Sequence, residues 1–138
     1  MERVIMFREI IKSKKGEKTD SEEFKRAIML HDMKNVKSLV LRGAEINAPD
    51  KKGFTPLFYA FIAKDFEIAS YLANNGADVN VKAHGNSSLM DYAIYMGDVR
   101  FVKLLKDKGY KELDAAVTLA LRSMRHDIVA ILTGNNEY

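Results

Sequence analysis

Residues 50–82 read DKKGFTPLFYAFIAKDFEIASYLANNGADVNVK and hold the starts and stops of two helices within one short span. Thr55 before Pro56 is a helix start: a hydroxyl at the N-cap, then proline at the first helical position, where its missing N–H leaves no bond unmade. The first helix is expected from Pro56 to Ala63. Asp65 stands where a second helix begins, so its carboxylate can accept from the orphan N–H groups of that first turn and favour its dipole. Ala69, Leu72 and Ala73 then fall at i, i+3 and i+4, one apolar helix face. Gly76 follows, where a left-handed stop residue is needed and a Cβ would be strained. Asn47–Gly53 before the pair and Asn80–Asn86 after it are turn-rich and read as hairpin loops.

The same grammar recurs along the chain. A shift of 33 residues superposes Gly43, Gly76 and Gly109, then Ala27, Ala60 and Ala93, then Asp32, Asp65 and Asp98. Apolar columns follow the same shift: Phe24, Leu57 and Met90; Val36, Ala69 and Val102; Leu39, Leu72 and Leu105. A period of this size means stacked units, each unable to bury its apolar face alone. After Gly109 the match continues only with a shift of 27, pairing Ala93 with Ala120 and Phe101 with Ile128. About six residues are missing there, and the missing piece is the hairpin. Helices are expected at Leu113–Met124 and Asp127–Thr133. Ser88 and Asp91 form an S-x-x-D capping box in the third unit, whose turn glycine, Gly85, lies one place earlier than the register of Gly53.

A helix pair and a turn repeated at 33 residues resembles the ankyrin repeat. The match rests on Asp50, Gly53, Thr55-Pro56-Leu57, Ala60, Glu67-Ile68 and Gly76-Ala77-Asp78-Val79-Asn80, and on Gly43-Ala44-Glu45-Ile46-Asn47 in the unit before. The resemblance implies an all-α solenoid of stacked helix-turn-helix units joined by β-hairpin loops, about four repeats with degenerate caps. The units are expected at about 20–49, 50–82, 83–112 and 113–133 within a repeat domain of 20–138. Residues 1–19 are expected to form an N-terminal capping helix, with Val4, Phe7 and Ile11 on one face, and a charged linker. The family's histidine in Thr-Pro-Leu-His, which ties neighbouring loops by hydrogen bonds, is replaced by Lys25, Phe58 and Asp91, so a looser stack is expected.

Composition agrees with a folded, soluble chain. The 138 residues are 47% hydrophobic and 30% charged, one domain's worth of core with too much charge for a membrane span. A net charge of +3 is too small to make a nucleic-acid binder by itself. No cysteine is present, which excludes disulfides, thiolate metal sites and thiol catalysis. Arg8 and Glu9 interrupt what would be a signal-peptide core. A cytoplasmic setting is the default, with export by a route needing no N-terminal signal left open. His31, His84 and His126 share no helix face or metal-ligand spacing, and no G-x-S-x-G, Walker, Rossmann or EF-hand pattern occurs. No catalytic residue, metal or cofactor is expected.

What remains is a surface. Stacking leaves a concave side of hairpin tips and inner helices free to bind. By resemblance the family's contact positions fall on Lys51, Lys52, Phe54, Ile62, Ala63 and Lys82 in the second unit and on His84, Gly85, Ser87, Tyr95 and Met96 in the third. In the first unit they fall on Lys18, Thr19, Ser21, Met29 and Leu30. Met29, Ile62 and Tyr95 form one row, and Leu30, Ala63 and Met96 another. An apolar floor with a lysine rim suits a partner segment that presents a hydrophobic anchor flanked by acidic residues. The competing reading is that Met29, Leu30 and Ile62 pack between inner helices and the lysines are an ordinary solvated edge. The leading function is non-catalytic protein recognition, as adaptor, inhibitor or scaffold, by a monomer. Polyanion or nucleic-acid binding through the lysines, and a structural subunit docked permanently in an assembly, are the alternatives.

Overall fold

The computed structural model describes residues 19–134. The expected N-terminal helix and linker, with Lys18, lie outside the described residues. Four helix pairs follow one another: α1 (Asp20–Met29) and α2 (Met33–Leu41), α3 (Pro56–Ile62) and α4 (Phe66–Asn74), α5 (Leu89–Met96) and α6 (Val99–Asp107), α7 (Leu113–Arg122) and α8 (His126–Thr133). The first helices stack on one another, α1 on α3 on α5 on α7, while α4, α6 and α8 form the parallel row of second helices. This is an all-α solenoid. Its strands are two residues each, β1 (Lys82–Ala83) and β2 (Ser87–Ser88), paired antiparallel with Lys82 opposite Ser88.

The apolar columns read from the repeat are the core. Phe24, Leu57 and Met90 are buried, as are Val36, Ala69, Val102, Leu39, Leu72 and Leu105. Each column recurs once per unit, and all of them belong to one buried apolar cluster that runs through the layers. Between the second and third pairs the packing is aromatic: Phe101 meets Phe61 edge-on at 4.8 Å and Phe66 at 5.5 Å.

The aspartates cap as expected. Asp32, Asp65 and Asp98 accept from the backbone amides of Asn35, Ile68 and Arg100. Ser88 and Asp91 complete their capping box. Thr55 does not behave as expected. It occupies the N-cap, but its hydroxyl makes no capping bond and is buried without a partner. The side chain in register with the family's histidine is Phe58, which is fully buried and has no hydrogen bond to give. Helix α7 also ends at Arg122 rather than Met124, because Met124 takes a positive φ of 58°. That residue shares a register with His31 (φ 55°), Lys64 (φ 56°) and Gly97 (φ 75°), so every first helix ends on one left-handed residue whatever its side chain.

Side-chain staples join the layers beside the turns. The Asn47 amide donates to the Gly76 carbonyl at 3.2 Å and its oxygen accepts from the Asp78 amide at 2.8 Å. Asn80 repeats both bonds one layer on, to the Gly109 carbonyl at 3.2 Å and from the Lys111 amide at 2.9 Å. Residues 44–55 and 77–88 leave these turns as fingers before the next helix. In the fourth pair residues 110–112 run straight into α7, which begins at Leu113. The missing hairpin is therefore absent, and α7 gains an extra turn at its start.

Candidate functional site

On α1, Phe24, Ala27 and Ile28 turn inward, which directs Met29 and Leu30 outward at the helix end. The same arrangement on α3 and α5 exposes Ile62 and Tyr95. Met29 is 44% exposed, Leu30 66%, Ile62 37% and Tyr95 79%. Met29 and Ile62 therefore keep part of their surface free, while the residues before Met29, Ile62 and Tyr95, namely Ile28, Phe61 and Ile94, are buried. Met96 and Ala63 are half-buried against the core, whereas Leu30 in the same row is exposed.

The second finger is held by Asp50. One of its oxygens accepts from the amides of Lys52 and Phe54, at 2.9 and 3.0 Å, and the other accepts from the Tyr59 hydroxyl. Burial opposes ionisation of Asp50, yet the bonds from Tyr59, Phe54 and Lys52 outweigh it and hold its carboxyl below the ordinary value. Burial first, then the adjacent Asp50, pushes the Tyr59 hydroxyl far above its ordinary range. Lys25 rests over the Tyr59 ring at 5.3 Å. Lys51 and Lys52 consequently project from an anchored loop into solvent.

Phe54 is partly exposed at the base of the second finger. Its ring lies 5.5 Å from Phe58, 5.7 Å from Tyr59 and 6.4 Å from Tyr92, half-buried in an aromatic cluster that fastens the finger to α3 and α5. On the third finger His84 is exposed and Ser87 half-buried within β2. Lys82 is less free than expected, since its ammonium sits 2.9 Å from Glu112. That bond raises its pKa. Gly85 (φ 80°) and Asn86 (φ 64°) are left-handed in succession, whereas the second finger has one such residue, Gly53 (φ 81°), so the two tips differ in backbone conformation.

Other contacts were invisible in the sequence. His31 pairs across layers with Asp65, Nδ1 to Oδ2 at 2.8 Å, although its sequence neighbour is Asp32. A cleft of about 560 Å³ lies on the outer side of the first pair, between α1 and α2. Arg26, Asn35 and Ser38 line it, where the register of the second pair has Tyr59, Ile68 and Tyr71. Among the described residues no group of three or more His, Asp or Glu side chains is placed to hold a metal ion, and no helix is long and apolar enough to cross a membrane.

Known proteins agree with this architecture. The family described as ankyrin repeats in three copies matches residues 24–115. Inversin of Danio rerio is 32% identical over 74 residues, which are 54% of this chain and 7% of that protein. A Rickettsia bellii protein named for its ankyrin repeats is 33% identical over 90 residues, 61% of this chain and 13% of its own length. Inversin of Mus musculus is 36% identical over 81 residues, 56% of this chain and 8% of the relative. The chain therefore spans a small part of these relatives, and the likeness concerns the repeat region. Ankyrin repeats are in general protein–protein interaction modules without catalytic activity. With its 33-residue period, stacked helix pairs and inter-layer asparagines all within the matched span, the chain belongs to the ankyrin repeat family.

Proposed function

We propose that this chain recognises another protein, as an adaptor, inhibitor or scaffold, through the face made by its first helices and fingers. One observation carries the reading: Met29, Ile62 and Tyr95 are large, exposed and placed once per layer at the same helix position. An apolar row rimmed by charge marks interaction surfaces more often than chance exposure does. Lys51 and Lys52 stand above it, and Met96 and Leu30 widen it. The partner that suits this face is a segment with a hydrophobic anchor flanked by acidic residues. The aromatic ring of Tyr95 is the best placed anchor, since it offers area with little rotamer entropy to lose. Phe54, Lys82, His84 and Ser87 contribute mainly by setting the shape of the fingers.

The test is affinity capture with the wild-type chain, a Met29→Ala, Ile62→Ala, Tyr95→Ala triple variant, and a Leu41→Ala control. Leu41 is as exposed as any of them but lies at the end of α2. A partner retained by wild type and control but lost by the triple variant supports the reading. Equal capture by all three refutes it.

A further inference from the structure

The three glycine stops are not tied down alike. In the first pair the Arg42 amide donates to the Ser38 carbonyl at 3.0 Å and the Gly43 amide to the Val40 carbonyl at 3.0 Å. The third pair repeats both bonds, from Lys108 to Leu104 at 3.0 Å and from Gly109 to Lys106 at 3.1 Å. In the second pair neither is made. The carbonyl of Tyr71, in register with those of Ser38 and Leu104, accepts from the Asn75 side-chain amide at 2.7 Å. The Asn75 backbone amide turns instead to the Leu72 carbonyl at 3.1 Å, and the Gly76 amide has no hydrogen-bond partner among the described residues. Asn75 and Gly76 are both exposed, and a Cβ on Gly76 would meet nothing within 4 Å. The other layers carry Arg42 and Lys108 before the glycine, so Asn75-Gly76 is the only asparagine–glycine pair in the chain.

We propose that Asn75 is a site of spontaneous deamidation, through which the protein ages at the junction between its first and second pairs. The Gly76 nitrogen attacks Cγ of Asn75. The bond from Cγ to Nδ2 breaks, the proton of the Gly76 N–H passes to the departing nitrogen, ammonia leaves and a cyclic succinimide closes. Water then opens the ring, at the side-chain carbonyl to give aspartate or at the main-chain carbonyl to give isoaspartate. Asparagine is a labile residue, and a following glycine, with no Cβ, leaves its nitrogen open to approach. The folded turn holds Asn75 at φ −109° and ψ 23°, so attack needs rotation about its Cα–C bond. That rotation is resisted by the Asn75 side-chain bond to Tyr71, by the Ala77 amide on the Leu72 carbonyl, and by the Asn47 amide on the Gly76 carbonyl. The last of these comes from the neighbouring layer, so the inter-layer staple also guards the reactive pair. The product undoes its own guard. Isoaspartate adds a carbon to the main chain just before Gly76 and displaces the two groups that Asn47 grips, the Gly76 carbonyl and the Asp78 amide. Either product also places a negative charge at the end of α4, where the helix dipole opposes it.

The test is to incubate the full chain in mildly alkaline buffer and follow its tryptic peptides by mass spectrometry over days. Asn75 is expected to turn from amide to acid before Asn47, Asn80 or Asn86, with isoaspartate exceeding aspartate. Asn47→Ala, which leaves the reacting pair untouched, should speed the change several-fold, towards the rate of the wild type unfolded in urea. In the aged wild type the Asp78 amide should exchange its hydrogen faster than in fresh protein. Asn75→Lys, which copies the third pair at Lys108, should fold and show no such change on ageing. Earlier reaction at another asparagine, an unchanged rate in Asn47→Ala, or Asp78 exchange that is the same in fresh and aged wild type would each overturn the proposal.

Discussion

Phe54, Leu57, Phe58 and Phe61 of the second pair stand in register with Asp114, Val117, Thr118 and Leu121 of the fourth. In the second pair the stripe is packed against the next layer, with Phe58 and Phe61 fully buried. In the fourth, Asp114 and Thr118 are exposed and Leu121 is 44% exposed. The helix, its period and its inward face are the same; what differs is that, among the described residues, no layer packs on the fourth pair. Burial in such a stack is a property of the position along it, and polar replacement on the outward stripe is what allows the stack to end. In the first pair Arg26, Asn35 and Ser38 likewise stand where the second pair has Tyr59, Ile68 and Tyr71.

The comparison is broken most forcefully by truncating the same register position in both places. Phe61→Ala removes a fully buried ring that meets Phe101, and is expected to cost about 3–5 kcal/mol in urea denaturation. Leu121→Ala should cost less than about 1 kcal/mol, as a partly exposed side chain with no layer beyond it. Similar losses in the two variants would mean that the fourth pair is not an end. Next in size are the staples. Asn80→Ala leaves the Gly109 carbonyl and Lys111 amide without their partner and is expected to cost about 1–2 kcal/mol. Hydrogen exchange should quicken first at the third junction, where no finger contact supports the turn, and less in Asn47→Ala, where layers meet on both sides.

A smaller effect separates the anchored second finger from the fourth pair, which has none. Because the bonds to Asp50 lower its pKa, its contribution is complete above the unfolded carboxylate value of about 4 and is lost as pH falls through the lowered folded value. Acid titration of the wild type should therefore show the second finger's amides exchanging faster at low pH, and Asp50→Asn should remove that acid limb. The smallest effect expected is at Thr55. Its hydroxyl is buried and unpartnered, so Thr55→Val should change the melting midpoint little or raise it. A clear loss of stability would show that the hydroxyl finds a partner in solution.

The layers, the helix starts at Asp32, Asp65 and Asp98, the stops at Gly43, Gly76 and Gly109, and the absent fourth finger were all legible in the chain, because caps and apolar faces are set by residues a few places apart. The outward row of Met29, Ile62 and Tyr95 was legible as a row but not as exposed, since its competing role depended on which of two adjacent residues the next layer touches. The ring cluster around Phe54 was not legible, because its partners Phe58 and Tyr92 sit on different helices. Thr55 looked like any other N-cap, and only the structure shows its hydroxyl buried without a partner. The left-handed turn at His31, Lys64 and Met124 had no glycine to announce it.

The amino-acid sequence by itself determined the repeat and its direction, since period, capping and polarity are local and recur until they register. Tertiary structure alone decided which side chains reach across layers: His31 to Asp65, Asn47 and Asn80 to the next turn, Lys82 to Glu112. Those contacts join residues about one unit apart along the chain, and their geometry follows from how one layer is rotated and set down upon another, which no short window of sequence contains.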